Sequence, residues 1–260
     1  MTINRQTTLR QILFNSITFL VMLFFNYLGG SGKINNMSQA DISDKYFTLI
    51  TPAGYAFSIW GVIYLLLAIS VLYAFTQIRK KAQQELIHKT GRLFIASCAF
   101  NALWIVSFSY EWLSVSTVLI FCLLFSLMLL LRKLRGYTGN ILAKVVFSLY
   151  TSWVLIATFV NISATLVKMN WDGFGVSDSI WTMGILLIAI LFTGGYTYKS
   201  KNSLFTLGVI WAFIGILSQY LKGVHDVPYT LFITAIILIG IMVLILISIR
   251  TFIVNGKQFF

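Results

Sequence analysis

Three stretches hold residues whose types and spacing bear on chemistry. In SCAFNALWIVSF, Asn101 and Trp104 stand at i and i+3, with Ser97 one turn earlier. In FSLYTSWVLIATFVN, Tyr150, Trp153, Ala157 and Asn161 fall at i, i+3, i+7 and i+11 and share one helical face. In TPAGYAFSIWGVIY, Phe57, Trp60 and Tyr64 fall at i, i+3 and i+7. Indole and phenol rings offer wide polarisable faces for stacking, and an amide supplies a donor and an acceptor that fix orientation. Together these groups suit the walls of a shared aromatic pocket, with Ala157 leaving room beside the rings. The same pattern also serves plain structure, because aromatic stripes fill space and an Asn in an apolar helix bonds to a neighbouring helix. The nine residues other than Ser97 are the candidate ligand-binding set, and none is assigned a catalytic or metal-binding role.

The elements that must position them are membrane spans. The chain has 260 residues, 58% hydrophobic and 10% charged, with a mean hydropathy of +0.88. A soluble domain carries about 25% charged residues. Apolar runs of roughly 18 or more residues recur along the chain, each long enough to cross a hydrocarbon core of about 30 Å. A membrane β-barrel would instead show short alternating segments. The fold class is therefore all-α, a polytopic integral membrane helical bundle. Eight spans are predicted, at Ile12–Leu28, Ala53–Phe75, Leu93–Phe108, Leu113–Leu131, Leu142–Val167, Ile180–Phe192, Leu204–Leu221 and Pro228–Ile249. The first is longer than a signal-peptide core and is read as a retained span. Pro52, with no N–H and a fixed φ, predicts that the second helix begins there. A Gly136–Gly139 turn separates the fourth span from the fifth.

Charge sets the expected orientation. With eight spans both termini share a side, and that side holds 15 of the 19 Lys and Arg residues, leaving Lys33, Lys45, Lys168 and Lys222 opposite. Lys and Arg concentrate in cytoplasmic loops, so the expectation is a multi-pass cell-membrane protein with cytoplasmic termini. The net charge of +12 is thereby a topology signal facing anionic lipid, and no nucleic-acid motif accompanies it.

Several function classes lack their residues. All seven acids and both histidines, His88 and His225, fall in predicted loops or at predicted span ends, which argues against a proton-coupled pathway. No H-E-x-x-H, G-x-S-x-G, P-loop or intramembrane carboxylate pair occurs, so an enzyme is disfavoured and no cofactor is expected. Cys98 and Cys122 lie in apolar helices as small hydrophobes. Gly208, Ala212 and Gly215 place small residues on one face of the seventh span, permitting close approach within the chain or, alternatively, across a homodimer.

The succession Pro52, Phe57, Trp60, Tyr64, then Phe100-Asn101-Ala102-Leu103-Trp104, then Leu149-Tyr150, Trp153, Ala157-Thr158 and Asn161 resembles the TspO/MBR family of tryptophan-rich sensory and translocator proteins. The resemblance covers roughly Ile12 to Val167. It implies a TspO-like five-helix core, residues 1–168, followed by three additional C-terminal transmembrane helices, residues 169–260. It also implies a cavity capped by the loop after the first helix, binding planar apolar molecules such as tetrapyrroles or sterols. Trp60, Asn101, Trp104, Trp153 and Ala157 would line it by motif match. The chain departs from the family at Thr51-Pro52, where paired prolines are expected, and at Leu149-Tyr150, where Pro-Tyr is expected. The sterol pattern expected at the end of the fifth helix is absent, while Leu191, Tyr196 and Lys199 fit it in the sixth span. The implied partners are a tetrapyrrole-like small molecule and membrane lipids, for sensing or passage. The alternatives are a transporter using the same cavity and a structural or assembly protein.

Overall fold

The structure, a computed structural model, describes residues 4–135, 137, 141–225, 227–256 and 258. Of the Gly136–Gly139 turn, only Tyr137 falls among them. Among the described residues, eight helices are long and apolar enough to cross a membrane. In chain order the α-helices are α1 (Arg5–Gly30), α2 (Gln39–Lys45), α3 (Ile59–Thr76), α4 (Lys81–Ser109), α5 (Leu113–Leu134), α6 (Ile141–Lys168), α7 (Asp178–Ser200), α8 (Thr206–Leu221) and α9 (Thr230–Val254). All but α2 are spans.

Several helices outrun their apolar cores. The third span was expected from Leu93, yet α4 begins at Lys81. The stretch KAQQELIHKTGR is rich in good helix formers, so the helix continues after lipid contact ends. That extension carries Glu85 and His88 as helical residues, and His88 Nε2 lies 3.2 Å from Thr8 Oγ1 of α1. The short α2 was not expected within the polar connection. Its start is a reciprocal cap: Ser38 N–H donates to Asp41 Oδ2 at 2.8 Å, and Asp41 N–H donates to Ser38 Oγ at 3.2 Å. The bond from the Ser38 backbone, then that from its hydroxyl, holds the Asp41 carboxyl below its ordinary value.

The helix predicted to open at Pro52 opens later. Residues 51–53 are not helical, Gly54–Ser58 forms a 3-10 turn, and α3 starts at Ile59. The reason lies in competing partners. Ala53 N–H donates to Gly215 O of α8 at 3.1 Å, and Ala56 O accepts from Trp211 Nε1 at 2.8 Å. Gly215 makes this approach feasible, since a Cβ there would sit 2.8 Å from Ala56 Cβ and 3.0 Å from Pro52 Cβ. The α-helical spacing that joined Phe57 to Trp60 and Tyr64 therefore crosses a change of helix type.

The chain forms two compact units, one of residues 1–42 and 59–150, the other of residues 43–58 and 151–260. In the first, α1 runs parallel to α4. The two touch at both ends, where a Cβ on Gly91 would meet Gln11 and one on Gly29 would meet Ile105. Helix α5 returns against α4 through a tight turn in which Glu111 takes a left-handed φ of 60°. In the second unit α7 runs parallel to α9, with Gly194 against Ile247 and Gly240 against Ile190. The Gly208 N–H, in the first turn of α8 and so without a partner in its own helix, donates to Ser152 Oγ at 3.2 Å. Gly208 and Gly215 thus serve contacts inside this chain.

Candidate functional site

Five of the nine candidate residues come together in the first unit. Trp60, at the start of α3, lies 5.5 Å from the Tyr64 ring at 20°, 5.7 Å from Trp104 at 37°, and 5.9 Å from Tyr150 edge-on at 77°. Trp104 continues the stack to Phe108 at 5.7 Å. These are centroid separations at which ring pairs attract beyond their burial. Trp60, Trp104 and Tyr150 are 6%, 4% and 1% exposed, so the cluster is closed as well as aromatic.

Asn101 organises the polar side of this cluster. It is fully buried, and its Nδ2 donates to Tyr150 OH at 2.9 Å while its Oδ1 accepts from Asn26 Nδ2 of α1. Asn26 Oδ1 in turn accepts from Tyr64 OH at 2.6 Å, and its Nδ2 also donates to Met22 O at 2.8 Å. The chain of bonds therefore runs Tyr64, Asn26, Asn101, Tyr150 and ties together α3, α1, α4 and α6. Both ends of the Asn101 amide are engaged with neighbouring helices, the interhelical arrangement that an amide in an apolar helix favours. Asn26 escaped the sequence reading. The signal was present, because Asn26 interrupts the apolar run LFFNYL and an amide there must find a partner.

The other four candidates belong to the second unit. Phe57 meets Trp153 edge-on at 6.3 Å and 85°. Trp153 is 2% exposed, Ala157 is half-buried, and Asn161 is buried one turn further along the same face of α6. The Asn161 carbonyl accepts from Thr165 Oγ1 at 2.8 Å. Two residues not singled out from the sequence anchor the segment 43–58. Trp211 bonds Ala56 as described, and Tyr220 OH donates to Leu49 O at 3.0 Å. His225 lies against this segment, stacked on Phe47 at 4.8 Å and tilted against Tyr220 at 4.4 Å. Burial pulls its pKa below the ordinary histidine value.

Three further tryptophans, each at or near a helix end, behave differently from the clustered ones. Trp112 is exposed and stacks on Tyr110 at 5.5 Å. Trp171 and Trp181 lie 5.2 Å apart, with Trp181 Nε1 donating at 3.0 Å to Gly173 O in the short 3-10 turn Gly173–Gly175.

Compared with known families, residues 11–248 match the model of the TSPO-like proteins. The match runs through all eight spans, so the three C-terminal helices fall within what that family model covers. No curated protein and no solved structure matches the chain.

Proposed function

This chain belongs to the TSPO-like family, and from that premise we propose that it binds a planar hydrophobic molecule, tetrapyrrole-like in shape, at the aromatic cluster of its first unit, for sensing or passage. The multi-pass protein would sit in the cell membrane with its termini in the cytoplasm. The observation that carries the reading is Trp60 with three rings within 5.9 Å. A flat ligand would insert by replacing ring-to-ring contacts with ring-to-ligand contacts of the same kind. In this reading Asn101 acts as a positioning residue, holding the phenol of Tyr150 through its own bond and that of Tyr64 through Asn26.

A porphyrin titrated into purified protein should quench tryptophan fluorescence saturably. Trp104→Leu should weaken binding by about 0.5–1.5 kcal/mol, roughly two- to tenfold, whereas Trp112→Leu should not. Equal affinity in both variants would reject the site. A second reading, a structural or assembly role, is favoured by the engagement of both amide ends of Asn101 with other helices. It predicts no saturable quenching.

A further inference from the structure

The first unit contains a cavity at the end opposite to its aromatic cluster. It lies among the first turns of α1, α4 and α6 and the last turns of α3 and α5, with a volume of about 70 Å³. Phe94 and Phe147, edge-on at 6.0 Å, close its inner end. Asn101 stands two helical turns beyond Phe94 on α4, so the cavity and the amide network are separate.

Its walls are mostly apolar, but polar groups from three helices reach it. Gln83 of α4 lines the cavity, is 5% exposed, and makes no side-chain hydrogen bond to any described residue. An amide that lines the cavity and bonds no described residue keeps donor and acceptor capacity for a polar group that enters it. Ser70 of α3 likewise brings a hydroxyl with no partner among the described residues. Asn15 of α1 has its Oδ1 occupied by Gln11, which leaves its Nδ2 as a donor, and Thr90 Oγ1 donates to Leu86 O and keeps lone pairs.

Two further observations define the occupant. The lining residues from α1 and α3 include half-buried Asn15, Ser70, Val71 and Ala74, whereas those from α5 and α6 are buried, so the opening is lateral, between α1 and α3. The flanking faces of those helices expose Leu13, Ile17, Ile69 and Leu72, a surface for an acyl chain. The same end of the unit carries exposed Arg79, Lys80, Lys81, Lys89, Arg92 and Arg132 against one acid, Glu85. A cavity of this volume is about half the roughly 150 Å³ that holds a benzene ring, which excludes a ring system and admits a small head group.

We propose that this cavity binds the anionic head, carboxylate or phosphate, of a membrane amphiphile whose chain lies along α1 and α3. Gln83 Nε2, Asn15 Nδ2 and the Ser70 hydroxyl donate to its oxygens, and the surrounding cations draw anionic species to the opening.

The test is thermal unfolding of the full-length protein in a neutral detergent with added oleate, phosphatidylglycerol or phosphatidylcholine. Oleate, phosphatidylglycerol or both should raise the midpoint saturably, and phosphatidylcholine should not. A response to oleate alone identifies a single-chain acid, and a response to phosphatidylglycerol alone identifies a phospholipid. Gln83→Leu should weaken the responding interaction about tenfold, while the midpoint without lipid holds or rises because an unpartnered amide is gone. Gln83→Glu, similar in shape but repelling an anion, should abolish it. Equal shifts with phosphatidylcholine, no shift with either anionic amphiphile, or an unchanged response in both variants would overturn the proposal.

Discussion

Asn26 of α1 donates its side-chain amide to the side-chain oxygen of Asn101 on α4, a bond between two helices in which both residues are buried. Each then reaches a tyrosine, Asn26 accepting from Tyr64 and Asn101 donating to Tyr150. Removing either amide deprives both the other amide and a tyrosine hydroxyl of a bond, whereas removing both deprives only the two hydroxyls.

Coupling between the two positions follows. An interhelical hydrogen bond in a membrane protein contributes about 0.6 kcal/mol on average and up to about 1.7, and stranding a buried group adds to the loss. Asn101→Leu should therefore destabilise by about 1–3 kcal/mol, and the double variant with Asn26→Leu by less than the sum of the singles. Thermal or denaturant unfolding of the four proteins measures this directly. Strict additivity would mean that the two amides act independently.

Glycines of equal chemistry should respond with opposite sign. A Cβ at Gly215 would meet Ala56 Cβ at 2.8 Å, while nothing lies within 4 Å of one at Gly184 on α7. Gly215→Ala should cost about 1–3 kcal/mol through overpacking against the 3-10 turn. Gly184→Ala should be neutral or stabilise by up to about 1 kcal/mol, the helix-propensity difference. Midpoints of the two variants falling on the same side of the parent would contradict the close approach of Gly215.

Much of the fold was legible because a bilayer demands long apolar helices, and runs such as LSVSTVLIFCLLFSLMLLL declare themselves. Helix ends were less legible. Hydropathy stops at Leu93 but α4 continues back to Lys81, since helix propensity and lipid contact are different physical quantities. The start of α3 escaped for another reason: Ala53 and Ala56 bond to α8, about 160 residues away in sequence, which no local pattern encodes. At the site, spacing placed Trp60 with Tyr64 on one helical face and Asn101 with Trp104 on another, but the contacts of Trp60 with Trp104 and Tyr150 join different helices and no spacing encodes them. Their tertiary partner Asn26 carried only a composition signal, a single amide in an apolar run. α2 could have been read from S-x-x-D at Ser38 and Asp41.

The orientation of the spans is open to a direct check. If the excess of basic residues marks the cytoplasm, reporter fusions after Lys81, Arg135 and Lys201 should read cytoplasmic, and fusions after Gly32 and Glu111 external. The inverse pattern at all five positions would turn the protein over, and a mixed pattern would remove a span.

Acid should loosen the second unit through His225. Its ring is 3% exposed, stacked on Phe47 and against Tyr220, and burial disfavours the charged form. Asp226, the next residue, lies outside the described residues. The folded pKa is depressed below the unfolded value of about 6.5, so the unfolded chain binds the proton more tightly. The associated stability is fully present above about pH 6.5 and is lost as pH falls through the lower, folded value. His225→Phe keeps a ring between Phe47 and Tyr220 but cannot titrate. The thermal midpoint of the parent should therefore fall further than that of His225→Phe between about pH 8 and pH 5.5. Identical falls in the two proteins would mean that His225 takes up its proton without disturbing the aromatic contacts on either side of it.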